Sequence, residues 1–145
     1  MILYFGGGWG IADIDTYDAS ARALASATGA IVLSVDYSRG PESKCPAAHD
    51  DAAATYTWLH AKVAAIGGDP ARLALAGESA SGNLAIATAI AAHDAGLTLR
   101  LAVLSVYPVA GTSTDTPSAR ENANGKPLNT AMLPWFLRYY TNNTI

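Results

Sequence analysis

Leu73-Ala74-Leu75-Ala76-Gly77-Glu78-Ser79-Ala80-Ser81-Gly82-Asn83 runs straight into Leu84-Ala85-Ile86-Ala87-Thr88-Ala89-Ile90. A short apolar strand breaks at a glycine, presents one serine and turns at once into an alanine-rich helix. A serine on such a turn is pushed out of the sheet, with its hydroxyl above the helix N-terminus. The dipole and free N–H groups there favour developing negative charge, which suits a nucleophile at Ser79. The same residues also suit an ordinary strand-to-helix turn that uses Gly and Ser for tightness. The pattern G-x-S-x-G calls for glycine at position 81, where this chain has Ser81, the next smallest polar residue.

A second element stands near the start. Ile2-Leu3-Tyr4-Phe5 reads as a strand, and Gly6-Gly7-Gly8-Trp9-Gly10 follows it directly. Successive glycines open backbone conformations closed to other residues and leave N–H groups unshielded. A glycine loop after one strand and a serine elbow after a later one are the two halves of an acyl-transfer site. One supplies oxyanion donors and the other the attacking oxygen.

Further strands are expected near 30–36, 72–76 and 100–106. All read as continuous apolar runs, the pattern of a parallel sheet covered on both faces. Helices are expected near 15–28, 47–66 and 80–94, with another starting near 130. Asp15 or Thr16 is the expected cap of the first, and Gly29, Gly67-Gly68 and Gly96 are the expected stops. The order implies an α/β fold with a mostly parallel, doubly wound sheet and right-handed crossovers. Residues 107–129, rich in Pro, Thr, Ser, Asn and Gly, read as a long aperiodic loop. It lies on the carboxyl side of a strand, where ligands bind in such folds.

Composition sets outer limits. The 145 residues are 50% hydrophobic and 14% charged, enough for one globular domain with a buried core. The net charge is −3, with no basic patch for nucleic acid and no polybasic membrane segment. The apolar runs fall short of membrane-spanning length. Cys45 is the single cysteine, so it forms no internal disulfide and no C-x-x-C metal or redox pair. Trp9, Trp58 and Trp135 read as core or groove-lining residues. Glu78, beside the serine, is expected to have a structural role. A dinucleotide-binding reading of the first loop, with Asp36 on a ribose, lacks the third glycine of G-x-G-x-x-G, since Ile11 stands there.

Taken together these segments resemble the hormone-sensitive-lipase-like family of α/β-hydrolase esterases along nearly the whole chain. The family's H-G-G-G-W loop is similar to Phe5-Gly6-Gly7-Gly8-Trp9, and its D-x-D-T segment to Asp13-Ile14-Asp15-Thr16. Its V-D-Y-R-L-A-P-E segment resembles Val35-Asp36-Tyr37-Ser38-Arg39-Gly40-Pro41-Glu42. Its P-A-A-x-x-D-D resembles Pro46-Ala47-Ala48-His49-Asp50-Asp51 with one residue fewer. Gly67-Gly68-Asp69-Pro70-Ala71-Arg72 and Gly77-Glu78-Ser79-Ala80-Ser81-Gly82-Asn83 follow its next two motifs.

The resemblance implies a partial α/β-hydrolase fold in which Ser79 attacks an ester carbonyl. Backbone N–H groups of Gly7, Gly8 and Ala80 would hold the oxyanion, with Gly6 shaping the loop. One such donor is worth roughly 3–4 kcal/mol of barrier. The implied substrates are small short- to medium-chain carboxylic esters, with no metal and no organic cofactor. Two other readings stay open: a ligand-binding protein on the same scaffold without chemistry, and a dinucleotide-binding protein.

Two departures and one omission qualify the resemblance. Phe5 stands at the family's histidine, which helps fix the glycine loop through hydrogen bonds that Phe cannot make. Phe5 can also be read as the last strand residue, with the histidine deleted. Ser81 replaces glycine. The omission is the general base. In these hydrolases the order is Ser, then Asp or Glu, then His. His49 and His60 precede Ser79, and His93 lies about 20 Å along the same helix at 1.5 Å per residue. All three read as histidines on polar helix faces, and Asp115 and Glu121 do not match the family's acid. Residues 1–145 are therefore expected to be the central part of one hydrolase domain. They would lack the family's first strands, lid helices, and acid and histidine segments. Ser79 is expected to be placed but not activated, with little or no turnover of p-nitrophenyl acetate.

Overall fold

Apolar runs too short for a helix and too uniform for a half-exposed strand become the centre of a parallel sheet. The computed structural model describes residues 1–97 and 101–142. Its strands are β1 (Ile2–Tyr4), β2 (Leu33–Val35), β3 (Leu73–Glu78) and β4 (Leu101–Val106), in the spatial order β2-β1-β3-β4 with every pairing parallel. Between them run α1 (Asp18–Thr28), α2 (Ala47–Lys62), which tightens into a 3₁₀ turn over Val63–Ile66, and α3 (Ala80–Asp94). The short α4 (Pro117–Glu121) and the longer α5 (Met132–Tyr140) follow.

Right-handed crossovers dictate the layering. The step from β1 to β2 goes one way across the sheet, and the steps to β3 and β4 go the other. The first helix therefore lies on one face and α2 and α3 pack together on the opposite face. The reversal falls between β1 and β3. Loops leaving these two strands diverge there, which opens a crevice at their carboxyl ends. The glycine loop and the serine elbow are those two loops.

The core lies between the sheet and the α2–α3 layer. Ile2, Tyr4, Leu75, Leu84, Ala85, Ala52 and Tyr56 are essentially inaccessible. Tyr4 donates to the Ala52 carbonyl at 3.1 Å, so a phenol is buried without losing its bond. Burial of that phenol pushes its pKa up to about 12.

The element boundaries differ from expectation in instructive ways. Neither Asp15 nor Thr16 caps α1. Tyr17 is the N-cap, without a side-chain cap bond, while Asp13 accepts from the Thr16 backbone N–H at 2.8 Å and its hydroxyl at 2.6 Å. Those bonds close a local turn and delay the helix by three residues. The second strand is shorter than 30–36. Residues 107–129 are not wholly irregular. Thr116 accepts from the Ala119 N–H at 3.1 Å and Pro117 opens α4, a Thr-Pro start signal legible in the sequence. Arg100, expected to begin the last strand, lies outside the described residues. Glycines 29, 67 and 96 do end their helical segments with positive φ.

Full cover on both faces holds for β1 and β3 but not for β2, where Ser34 is exposed and no residue is buried, nor for β4. Val103, Leu104 and Val106 are 41%, 50% and 38% exposed. Trp58 is half exposed on α2 rather than in a core or groove. No helix among the described residues is long and apolar enough to cross a membrane.

Candidate active site

Ser79 adopts φ 57° and ψ −122°, a conformation L-residues rarely hold. Such a backbone stores roughly 1–3 kcal/mol of strain and persists only where neighbours enforce it. Here the Ser79 N–H donates to the Val106 carbonyl at 3.0 Å, and its carbonyl accepts from Val109 N–H at 3.1 Å. The elbow is stitched on both sides to the end of β4. Its consequence is a hydroxyl lifted out of the sheet at the start of α3.

Ser81, the departure from G-x-S-x-G, is completely buried. Its hydroxyl accepts from the Glu78 N–H at 2.9 Å and donates to the Glu78 carbonyl at 2.8 Å. The extra side chain therefore bridges the turn instead of obstructing it. Ser81→Ala leaves a donor and an acceptor of Glu78 without these bonds, a loss of about 2 kcal/mol. A lowered urea midpoint at unchanged slope in equilibrium unfolding checks this, and an unchanged midpoint contradicts the bridge.

The glycine loop stands beside the elbow. Gly7 has φ 107° and its carbonyl accepts from the N–H groups of Gly10 and Ile11 at 3.1 and 3.0 Å. A side chain at Gly7 is excluded by that φ. The segment after β2 braces this loop from outside. Tyr37 donates to the Phe5 carbonyl at 2.7 Å, Arg39 to the Ala12 carbonyl at 2.7 Å, and Gly40 N–H to the Trp9 carbonyl at 2.8 Å. Phe5 is the last buried residue before the loop, and its ring stacks on Tyr37 with centroids 4.4 Å apart. Asp36 approaches Arg39 at 3.3 Å. Because α1 starts only at Asp18, no helix N-terminus follows Gly6–Gly8 in the manner of a phosphate cradle.

Ser79, Gly7 and Gly8 line one cavity of about 330 Å³, together with Val109, Leu133 and Phe136. The loop 107–129 does contribute walls, through Gly111 to Thr114, Pro127 and Leu128. Among the described residues, none that lines the cavity carries a charge. The cavity suits an uncharged, largely apolar small molecule. The wall supplied by α5 was missed from sequence. Its Leu133-x-x-Phe136-Leu137 spacing is the helical stripe that could have shown it.

Ala80, the first residue of α3, is buried directly after Ser79. First-turn N–H groups have no intrahelical partner, so that of Ala80 is a natural donor to an anion at the elbow. Glu78 is not among the residues lining the cavity. It accepts a hydrogen bond from the Tyr17 hydroxyl. Burial first, and the Glu78 carboxylate second, push the Tyr17 pKa up to about 12.

None of the three histidines serves the elbow. His49 is engaged on both ring nitrogens, with the Tyr140 hydroxyl at 2.7 Å and Asn83 Oδ1 at 3.0 Å. Asn83 in turn donates to the Val109 carbonyl at 2.9 Å. This histidine is thus no surface residue on a polar face. It ties α2, α3, α5 and the cavity loop together. His60 lies against Tyr56 on α2, and His93 is in the last turn of α3, at the opposite end from Ser79. Asp115 pairs with Arg120, both exposed. Among the described residues no cluster of His, Cys, Asp and Glu has metal-binding geometry.

The chain is similar to known proteins in both sequence and fold. A family profile described as alpha/beta hydrolase fold matches residues 1–144. The carboxylesterase NlhH of Mycobacterium tuberculosis is 40% identical over 140 residues, spanning 97% of this chain and 44% of that protein. An ethyl acetate hydrolase of Pseudomonas putida is 35% identical over 142 residues, with the same two shares. Among solved structures, a hyperthermophilic esterase from Pyrobaculum calidifontis superposes with a TM-score of 0.92 at 35% identity, covering 98% of this chain and 46% of that one. The chain spans less than half the length of these relatives.

Proposed function

The chain belongs to the hormone-sensitive-lipase-like family of the α/β-hydrolase fold, a family of carboxylic ester hydrolases, and on that premise we propose that it carries the nucleophile and oxyanion half of a serine carboxylesterase site. The observation that carries the reading is the strained Ser79 elbow opening into the same apolar cavity as Gly7 and Gly8. In the proposed reaction Ser79 Oγ attacks the ester carbonyl carbon and its proton passes to a base. The carbonyl oxygen becomes an anion held by the N–H groups of Gly7, Gly8 and Ala80. Collapse expels the alcohol and leaves an acyl-serine, which water hydrolyses to the acid and free Ser79. The acid and the histidine that activate Ser79 are proposed to lie outside these 145 residues, which would form the central part of the domain.

The uncharged lining favours neutral esters, and the family resemblance points to short to medium acyl chains. Catalysis here needs no metal or organic cofactor, since the N–H donors supply the charge stabilisation. The test is reaction with a fluorophosphonate probe followed by peptide mapping, in the protein carrying these residues. Stoichiometric modification at Ser79, prevented by excess p-nitrophenyl butyrate, is expected. An unmodified Ser79 would indicate a binding protein on the same scaffold.

A further inference from the structure

An oxyanion hole works only if its N–H groups are held still before charge develops, because reorganisation at the moment of reaction removes the benefit. Phe5, the residue that leads into the glycine loop, can offer that loop no side-chain hydrogen bond. The loop must be held by something else. Its first residue, Gly6, sits directly against a carboxylate and a phenol. A β-carbon built on Gly6 would meet Glu78 Oε1 at 2.0 Å and the Tyr17 hydroxyl at 2.7 Å. These two groups bond to each other across 61 residues of sequence.

Glu78 therefore joins the loop leaving β1 to the elbow at the end of β3. It is also the residue just before Ser79, so whatever it holds is held relative to the nucleophile. Resting on the reading of this loop as an oxyanion hole, we propose that Glu78 and Tyr17 are positioning residues for that hole. Their hydrogen bond clamps Gly6, and so fixes where the Gly7 and Gly8 N–H groups lie relative to Ser79. Neither side chain is among the residues lining the cavity, so both act through the loop and not on substrate. The arrangement also explains the glycine at position 6 through space alone.

Nitrogen-15 relaxation at the Gly6, Gly7 and Gly8 amides of the 145-residue chain reads the clamp without requiring turnover. Order parameters near 0.85 in the wild type, falling below about 0.6 in Tyr17→Phe and Glu78→Gln, are expected. Glu78→Asp, which keeps the carboxylate, should recover part of the loss. Tyr107→Phe, which alters only a 72% exposed side chain, should loosen the loop less. Unchanged order parameters in both Tyr17→Phe and Glu78→Gln overturn the inference, and so does an equal loss in Glu78→Asp and Glu78→Gln. In the active protein the same two variants should lower kcat by about tenfold or more, since one lost oxyanion donor costs about 10²–10³ in kcat. KM should stay within about twofold, and a loss confined to KM counts against positioning. Fluorophosphonate capture by the wild type tests the esterase reading separately, so each can fail without the other.

Discussion

Ser79→Ala is expected to abolish fluorophosphonate capture and to lower ester turnover by about 10⁶-fold once a histidine and a carboxylic acid complete the site. The size follows from the chemistry. Without Oγ there is no acyl-serine, and what survives is the contribution of the oxyanion donors and of binding, about 10³–10⁴ over water. The strained elbow should persist in the variant, because the bonds that enforce it come from backbone groups of residues 79, 106 and 109. Equilibrium unfolding of Ser79→Ala is therefore expected to match the wild type, which separates loss of chemistry from loss of structure. For the 145-residue chain alone little turnover of p-nitrophenyl acetate is expected, since both nitrogens of His49 are occupied and His93 is at the far end of α3. Initial rates with and without the substitution check both statements. A wild-type rate within about tenfold of an ordinary esterase, on the scale of typical kcat values near 10 s⁻¹, contradicts the missing base.

Gly77→Ala is expected to destabilise the chain by about 4 kcal/mol or more, a large share of the 5–15 kcal/mol that holds a typical domain. The added carbon would meet the Ser81 carbonyl oxygen at 2.2 Å, its carbon at 2.4 Å and Gly82 N at 2.9 Å. All three are backbone atoms of the first turn of α3, so no side chain can swing aside. Relief requires moving the helix off the strand, which breaks the Ser81 bridge to Glu78 and shifts Ser79. The cost therefore exceeds the 1–3 kcal/mol of ordinary overpacking. The urea midpoint reads it, with Gly111→Ala as the control. Nothing lies within 4 Å of a carbon added there, and that variant should stay within about 0.5 kcal/mol of wild type. Comparable midpoints for the two variants would show that the elbow is less tightly packed than these distances require.

Much of the candidate site's backbone was legible along the chain because its parts are local. Apolar runs of strand length separated by helical segments imply parallel strands, and glycine followed by Glu-Ser-Ala at a strand end implies an elbow. Gly6-Gly7-Gly8 after β1 implies exposed N–H groups by the same logic. Each of these inferences uses residues within one turn or one strand of each other, where dihedral preference and periodicity decide the outcome. The exceptions were also local: the Asp13–Thr16 turn that delays α1, and the Thr116-Pro117 start of α4.

What could not be read that way depends on contacts between distant residues. The clamp of Tyr17 on Glu78 spans 61 positions, and the His49 links to Asn83 and Tyr140 span 34 and 91. The Ser81 bridge is local, three residues from Glu78, yet Ser81 reads as a misfit in its motif until the turn is built and its hydroxyl meets the Glu78 backbone. The cavity is shared by the glycine loop, the elbow, the 107–129 loop and α5, none of which encodes the others. Local sequence settles the backbone of each element through sterics and capping. The clamp and the cavity exist only because the sheet order β2-β1-β3-β4 brings the carboxyl ends of β1 and β3 side by side.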